Sequence, residues 1–549
     1  MDIFELSDRL VDEIATLSPI AATYMGIPGH DHLWQDFSPA GVAAAAEVFA
    51  DYRNRAQRLP EPRDDWQRLA LRVLLDHLDD SLSQIEHQDH LRDLNNTASP
   101  LQNIVQVFDM MDTSTAEGCG NVSARLNTMG EVLGGYQAAL EAGLERGLPA
   151  ARRQVLAAID ECRSYAGDGS FLFALADRMH ECSSAERDVA VESAQVAFAR
   201  LAGFLENRYL PSAPEADGVG SDRYVRSARR FLGADLDPVA TYAWGWSEVV
   251  TIWDRMQRVA EQIAPGRTIA EVLQLLKTDP ERCLPDEASF LSFIESRQRD
   301  AVERLAGTHF DIPDEMRSVD VKLAPTGGAL GAYYHQPSED FSRPGAVFYS
   351  LGDKRPISIY DEVSTAYHEG FPGHHLQVGL QVGLADRLSR FHRMVVWHPG
   401  YGEGWALYVE ELMDELGFYE KPDFVMGLLI NQMHRACRVA IDIGCHLGLA
   451  IPADSGFHPG EVWSYEVAVE LLESRAFLEP AYARSEVTRY FGWPGQAISY
   501  KVGERAILDL RRELQQRDGE AFDLKDFHAR ILGYGPIGLD YLRDLMLAR

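Results

Sequence analysis

The residues best suited to chemistry lie in "YHEGFPGHHLQ", Tyr367 to Gln377. His368 followed at once by Glu369 begins like the zinc-protease pattern H-E-x-x-H, but the position for the second histidine holds Pro372. Two histidines follow, His374 and His375. On a regular helix His374 lies about 120° away from the His368 face, and His375 returns to that face about 10 Å further along. Neither would reach an ion held by His368 on an undistorted helix. Pro372 removes a backbone donor and kinks a helix, and Gly373 relaxes it, so a local bulge would bring His374 back over His368. The preferred pair is His368 and His374, with His375 as the alternative second ligand. A catalytic zinc takes three protein ligands and a water, from imidazole nitrogen and carboxylate oxygen. The third is expected from "YGEGWALYVEELMDELGF", where Glu403 lies between Gly402 and Gly404 and precedes an apolar run that should be buried. Flanking glycines permit close backbone approach. Glu410 and Glu411 follow two turns on. Glu369, adjacent to a ligand, has the place of a general base toward a zinc-acidified water.

Two later stretches offer further groups. In "HRACRVAIDIGCHLG" Arg435, Asp442 and His446 share a helix face, with Arg438 one turn from Arg435. Arginine grips a carboxylate bidentately, so Arg435 and Arg438 are candidate substrate-binding residues, with His375 if it is not a ligand. His446 is a candidate hydrogen-bond donor to a developing oxyanion. "RYFGWPGQAISYKVGERAI" offers Tyr500, Lys501 and Arg505, and a tyrosine hydroxyl suits the same task. By contrast "GYGPIG", Gly533 to Gly538, matches G-x-G-x-x-G only literally. It follows a helical stretch, contains Pro536 and lacks a βαβ setting, so it reads as a helix-ending turn.

These residues need a scaffold, and helix-period patterns supply it. "DDWQRLALRVLLDHLDDSLSQIEHQ" and "AERDVAVESAQVAFARLAGFLENRYL" are amphipathic, the second with Ala190, Ala194, Ala197, Leu201 and Leu205 on one stripe. "LPSAPEADGVGSDRYV", from Leu210, reads as a linker between residues 1–215 and 216–549. Strand signals concentrate between Arg317 and Leu351, where Val319, Val321 and Leu323 alternate and "AYYH" and "AVFYS" follow Pro/Gly breaks. They predict a small meander leading into the His368 helix. The predicted fold is mainly α.

With 549 residues and 46% apolar composition, the chain can bury a large core. Fifty-two basic against 84 acidic residues, a net charge of −32, exclude a general phosphate-backbone binder. No run reaches the length of a membrane span. The acidic N-terminal "MDIFELSDRLVDEIATLSPI" lacks the basic and apolar regions of a signal peptide, and six scattered cysteines form no C-x-x-C pair. A cytoplasmic protein with reduced thiols is expected, and no nucleic-acid or membrane partner.

"HEGFPGHHLQ", "GYGEGWALYVEEL", "RACRVAIDIGCH" and "RYFGWPGQAISYKVGE", in this order, closely resemble the bacterial domain-of-unknown-function family 885, and "YMGIPGHDHLWQDFSP" looks like that family's opening. The resemblance covers essentially the whole chain. Members look like helical zinc peptidases of the gluzincin type, such as thimet oligopeptidase and carboxypeptidase Taq. That resemblance implies two helical lobes around a deep cleft, one zinc ion on His368, His374 and Glu403, and Glu369 as base. It also implies oxyanion-stabilising roles for Tyr500 and His446. The two added residues before His374, and the stretch "LAIPADSGFHPGEV" after His446, depart from the pattern. The expected activity is zinc-dependent hydrolysis of a peptide or peptide-like amide. Hydrolysis of a small-metabolite amide or ester, or a non-catalytic metal-binding protein, are the alternatives.

Overall fold

The computed structural model describes residues 1–324, 331–352 and 355–548. Helices dominate, and the described strands form one three-stranded and one two-stranded sheet. The chain divides into two compact units. The first comprises residues 1–217 with 389–395 and 491–493; the second comprises 218–388, 396–490 and the chain from 494 onward.

In the first unit the N-terminal helix Ile3–Leu17 is closed by a capping box between Asp2 and Glu5, and buries Leu6, Leu10, Val11 and Ile14. The alanine stripe of Ser184–Phe204 is buried as its spacing predicts: Ala190, Ala194, Ala197 and Leu201 enter a core shared with Val122, Tyr136 and Val155. Small side chains on that face let neighbouring helices approach closely. All six cysteines are free thiols, and Cys119, Cys162, Cys283 and Cys437 are buried.

The second unit begins with a helix that the sequence reading missed, Ser221–Leu232, directly after the Pro/Gly/Asp stretch. It also carries the elements that matter for the candidate site. Helix α1 spans Glu287–Leu305, and strands β1 (Asp320–Leu323), β2 (Gly331–His335) and β3 (Ala346–Ser350) follow. Then come α2 (Glu362–Glu369), α3 (His374–Gly383) and α4 (Pro399–Glu415). Helices α5 (Pro422–Leu447), α6 (Pro480–Gly492) and α7 (Ser499–Asp518) complete the set.

The sheet is not the expected meander. Strand β3 is central, parallel to β1 and antiparallel to β2, with Val347 opposite both Val321 and Tyr334. The reason is apolar content: β3 buries Ala346, Val347 and Tyr349, whereas Leu323 on β1 and Tyr333 on β2 are exposed. The strand with most to hide takes the interior. Part of the predicted stretch, residues 325–330, lies outside the described residues.

Helices α4 and α7 approach closely beside the site. A Cβ on Gly404 would lie 2.5 Å from the Gly503 carbonyl carbon, and one on Gly503 would lie 2.0 Å from the Gly400 oxygen. The helices therefore meet backbone to backbone, which only glycine permits. Gly503→Ala is expected to cost about 1–3 kcal/mol by overpacking, read as a lower thermal midpoint. An unchanged midpoint would show that the two helices do not meet this closely.

Candidate metal centre

Helix α2 ends because its sequence forbids continuation. Pro372 has no N–H to give, and the residue before a proline is pushed out of the helical region. Gly370 caps the helix, its N–H reaching the Ala366 carbonyl at 2.9 Å. Gln298 of α1, buried beneath, donates from Nε2 to the Ala366 carbonyl and accepts the Phe371 N–H on Oε1, each at 2.6 Å. Trp405 of α4 donates its indole N–H to the Pro372 carbonyl at 3.0 Å. A Cβ on Gly373 would lie 1.9 Å from the His368 carbonyl oxygen and 2.4 Å from that of Tyr367. Only glycine lets the chain turn back there. A new helix, α3, then starts at His374.

The sequence predicts one helix with a kink or bulge; the structure has two helices and a four-residue break. The break brings the His374 ring over that of His368, with centroids 4.9 Å apart and planes at 89°. Glu403 completes the group. Its Oε2 lies 3.4 Å from His368 Nε2 and 3.5 Å from His374 Nε2. Among the described residues this is the one such trio of metal-ligating side chains, all three donor atoms lying within 4.8 Å of one another.

Two turns along α4, Glu410 faces the other side of the His368 ring. It accepts from His368 Nδ1 at 2.7 Å and from the Ser364 hydroxyl. Ser364 and His368 are one turn apart on α2, and Glu403 and Glu410 two turns apart on α4. The helices thus meet as a lattice of alternating donors and acceptors. Glu410 orients the ring: with Nδ1 directed to Glu410, Nε2 is the atom that faces Glu403 and His374. Burial opposes charge on His368, but Glu403 and Glu410 outweigh it and push its pKa up to about 10. Burial alone would raise the Glu403 carboxyl, yet the two imidazoles hold it well below the usual carboxylate range.

Glu369 is half-buried beside this group and makes no hydrogen bond among the described residues. Burial raises its pKa, against the lowering influence of His368, His374 and Arg435. Tyr500 stands one turn before Gly503 on α7. Burial first, and then the Glu403 charge, push its pKa up to about 12. Arg435 and Arg438 of α5 lie over its ring, with Cζ at 5.9 and 4.6 Å from the centroid.

Two candidates are engaged elsewhere. His375 is fully buried, with Nδ1 3.1 Å from the Tyr334 hydroxyl and Nε2 3.1 Å from the Met316 carbonyl. Burial pushes its pKa down to about 4. Of the two late histidines, His374 is the one beside His368. His446 directs Nε2 to the Tyr490 carbonyl at 3.0 Å and packs against the Tyr224 ring. Its neighbour Asp442 accepts from the Tyr224 hydroxyl at 2.7 Å and the Gly495 N–H at 3.0 Å. Sequence reasoning missed Gln298 altogether, and passed over Glu410 as one acid among several. For Glu410 the seven-residue step from Glu403 was the available signal.

The sequence profile of a family described as bacterial proteins of unknown function, DUF885, matches residues 19–546. The chain belongs to this family. Two solved structures share the DUF885 chain's fold. One is a protein of Colwellia psychrerythraea provisionally described as a lipoprotein, 21% identical, with a TM-score of 0.86 over 99% of this chain and 98% of its own. The other, from Shewanella oneidensis and provisionally described as a lipoprotein of unknown function, is 17% identical with a TM-score of 0.76 over the full length of both chains. No curated protein matches the chain. Among the described residues no helix is long and apolar enough to cross a membrane.

Gln298→Leu is expected to lower stability by about 1–3 kcal/mol, because the Phe371 N–H is left buried without an acceptor. Thermal melting of the two proteins reads this directly. Equal midpoints would show that the break between α2 and α3 does not need Gln298.

Proposed function

We propose that this protein is a metal-dependent hydrolase, with zinc as its ion, that cleaves peptide or peptide-like amide bonds using Glu369 as general base. The observation that carries the reading is the spacing of His368, His374 and Glu403. Contacts of 3.4 and 3.5 Å are longer than the ~2.7–2.9 Å of a charge-assisted hydrogen bond. Three ligands each about 2.1 Å from one tetrahedral ion lie about 3.4 Å from one another. The buried Glu403 Oε2 accordingly accepts no hydrogen bond among the described residues. A buried carboxylate oxygen between two imidazoles and bonded to neither fits a shared cation. Two histidines and one glutamate are also a ligand set used by hydrolytic zinc sites.

When bound, zinc polarises a carbonyl and acidifies water. The chain's own residues supply the rest. Glu410 and Ser364 orient His368. Glu369, whose carboxylate makes no hydrogen bond among the described residues and whose pKa burial raises, would take a proton from water and return it to the leaving amine. The Tyr500 hydroxyl makes no hydrogen bond among the described residues, and its raised pKa keeps it a donor for a developing oxyanion. A His-Glu pair, a later histidine and a glutamate on the following helix are similar in order to the helical gluzincin peptidases. That similarity supports an amide substrate.

Glu369→Gln is expected to keep its metal content and lose two to four orders of magnitude in kcat. Metal analysis beside a chelator-controlled peptide-library assay reads both; full activity in the variant would remove Glu369 as base. Glu410→Ala is expected to weaken zinc affinity about ten- to a hundredfold, measured by competition with a fluorescent chelator. Unchanged affinity would leave Glu410 a purely structural acid.

A further inference from the structure

Beside Tyr500 several guanidinium groups gather, and two of them share one carboxylate. The Glu486 carboxylate of α6 accepts from Arg438 Nη2 at 2.8 Å, from Arg489 Nε and Nη2 at 2.9 Å each, and from the Tyr490 hydroxyl at 2.8 Å. His434 Nε2 lies 3.2 Å from the same carboxylate. Burial and the nearby arginines push its pKa down to about 3, so it adds no charge. One carboxylate thus serves two buried guanidinium groups. A third cation, Arg435, is half-buried, and among the described residues its side-chain hydrogen bonds go only to Asn431, at 3.3 Å to the backbone and side-chain oxygens. Arg438 Nη1 and Arg435 Nε are both buried and have no acceptor among the described residues. Buried donor atoms without an acceptor are costly.

Both groups face one place. Arg438 and Arg435 lie over the ring of Tyr500, and the Gly503–Gly404 contact brings the Tyr500 turn against the Glu403 turn. The cationic pair is therefore next to the metal centre and on its α5–α7 side. A carboxylate accepts a pair of parallel N–H bonds from such groups. The molecule's net charge of −32 repels anions at long range, so anion recognition has to be local, as it is here.

We propose that Arg435 and Arg438 form a carboxylate subsite on the Tyr500 ring, so that the substrate is an amide whose cleaved bond lies close to a carboxylate. The source is a peptide's C-terminal α-carboxylate or an acidic side chain. The cleavage step rests on the hydrolase reading; carboxylate binding does not. The test is calorimetric titration of Glu369→Gln protein, with and without zinc, with three probes. These are acetyl-Ala-Ala-Phe with a free C-terminus, its C-terminal amide, and acetyl-Ala-Ala-Glu amide.

The free acid is expected to bind at least about tenfold more tightly than the Phe amide, and Arg435→Gln is expected to erase the difference. Arg435 is not among the groups bonded to Glu486, so this variant leaves the Glu486 pairs intact, and its melting temperature checks folding. Tight binding of the Glu amide assigns the subsite to acidic side chains; preference for the free acid alone assigns it to chain ends. Equal affinity for acid and Phe amide with no gain for the Glu amide, a preference that survives Arg435→Gln, or no binding by any probe overturns the subsite. Loss of zinc affinity or full turnover by Glu369→Gln would instead overturn the hydrolase reading and leave the binding result standing.

Discussion

A regular helix cannot point side chains six residues apart at one spot, and the candidate metal centre depends on how the chain escapes that constraint. Between Glu369 and His374 it gives up helical hydrogen bonding. Backbone groups left inside a protein must find other partners. Here they find Gln298, the Trp405 indole, and the His375 N–H, which reaches the Gly370 carbonyl at 3.2 Å. Because the break is so supported, it is a fixed corner, and it sets where α3 starts. The same corner demands glycine at 373, and it brings α4 against it through Trp405, which places Glu403.

The charges around the centre are sorted by element. Carboxylates come from α2 and α4, as Glu369, Glu403 and Glu410, with two imidazoles between them. Guanidinium groups come from α5 and α6, clustered on Glu486. Tyr500 on α7 lies between the two sets and responds to both. Burying so many ionised groups is weak as a source of stability, since desolvation consumes most of the attraction. An apolar interior would hold these helices together as well. The proposed cation on one side and substrate carboxylate on the other would give these charges a use.

What could be read from the sequence was what residue type and spacing alone determine. His368, Glu369, His374 and Glu403 stood out because few other roles need such types so close together, and Gly402 and Gly404 marked a close approach. Indeed a Cβ on Gly402 would lie 2.4 Å from the Trp397 ring and one on Gly404 against Gly503. The helical character of the chain and the stripe from Ala190 to Leu201 were equally plain. Gln298 was invisible, because a glutamine in an amphipathic helix looks like any surface residue until its distant partner is known. The order of the strands depended on which would be most deeply covered, a tertiary fact. For His446, periodicity identified the helix face but not the neighbours, Tyr224 and Tyr490, that occupy it. Ser221–Leu232 was hidden by the loop-like residues just before it.

The break between α2 and α3 also bears on when the centre can come into being. Its three candidate ligands span residues 368 to 403, but the corner that aligns them is held by Gln298, and the helix carrying Glu403 is seated by Gly503. Contacts this far apart in sequence form late, after long loops have closed. A site of this kind differs from a zinc finger, in which a short segment folds around its own metal. Here the chain has to reach α7 before the three candidate ligands are aligned, so loading with the proposed metal would follow folding and would not drive it.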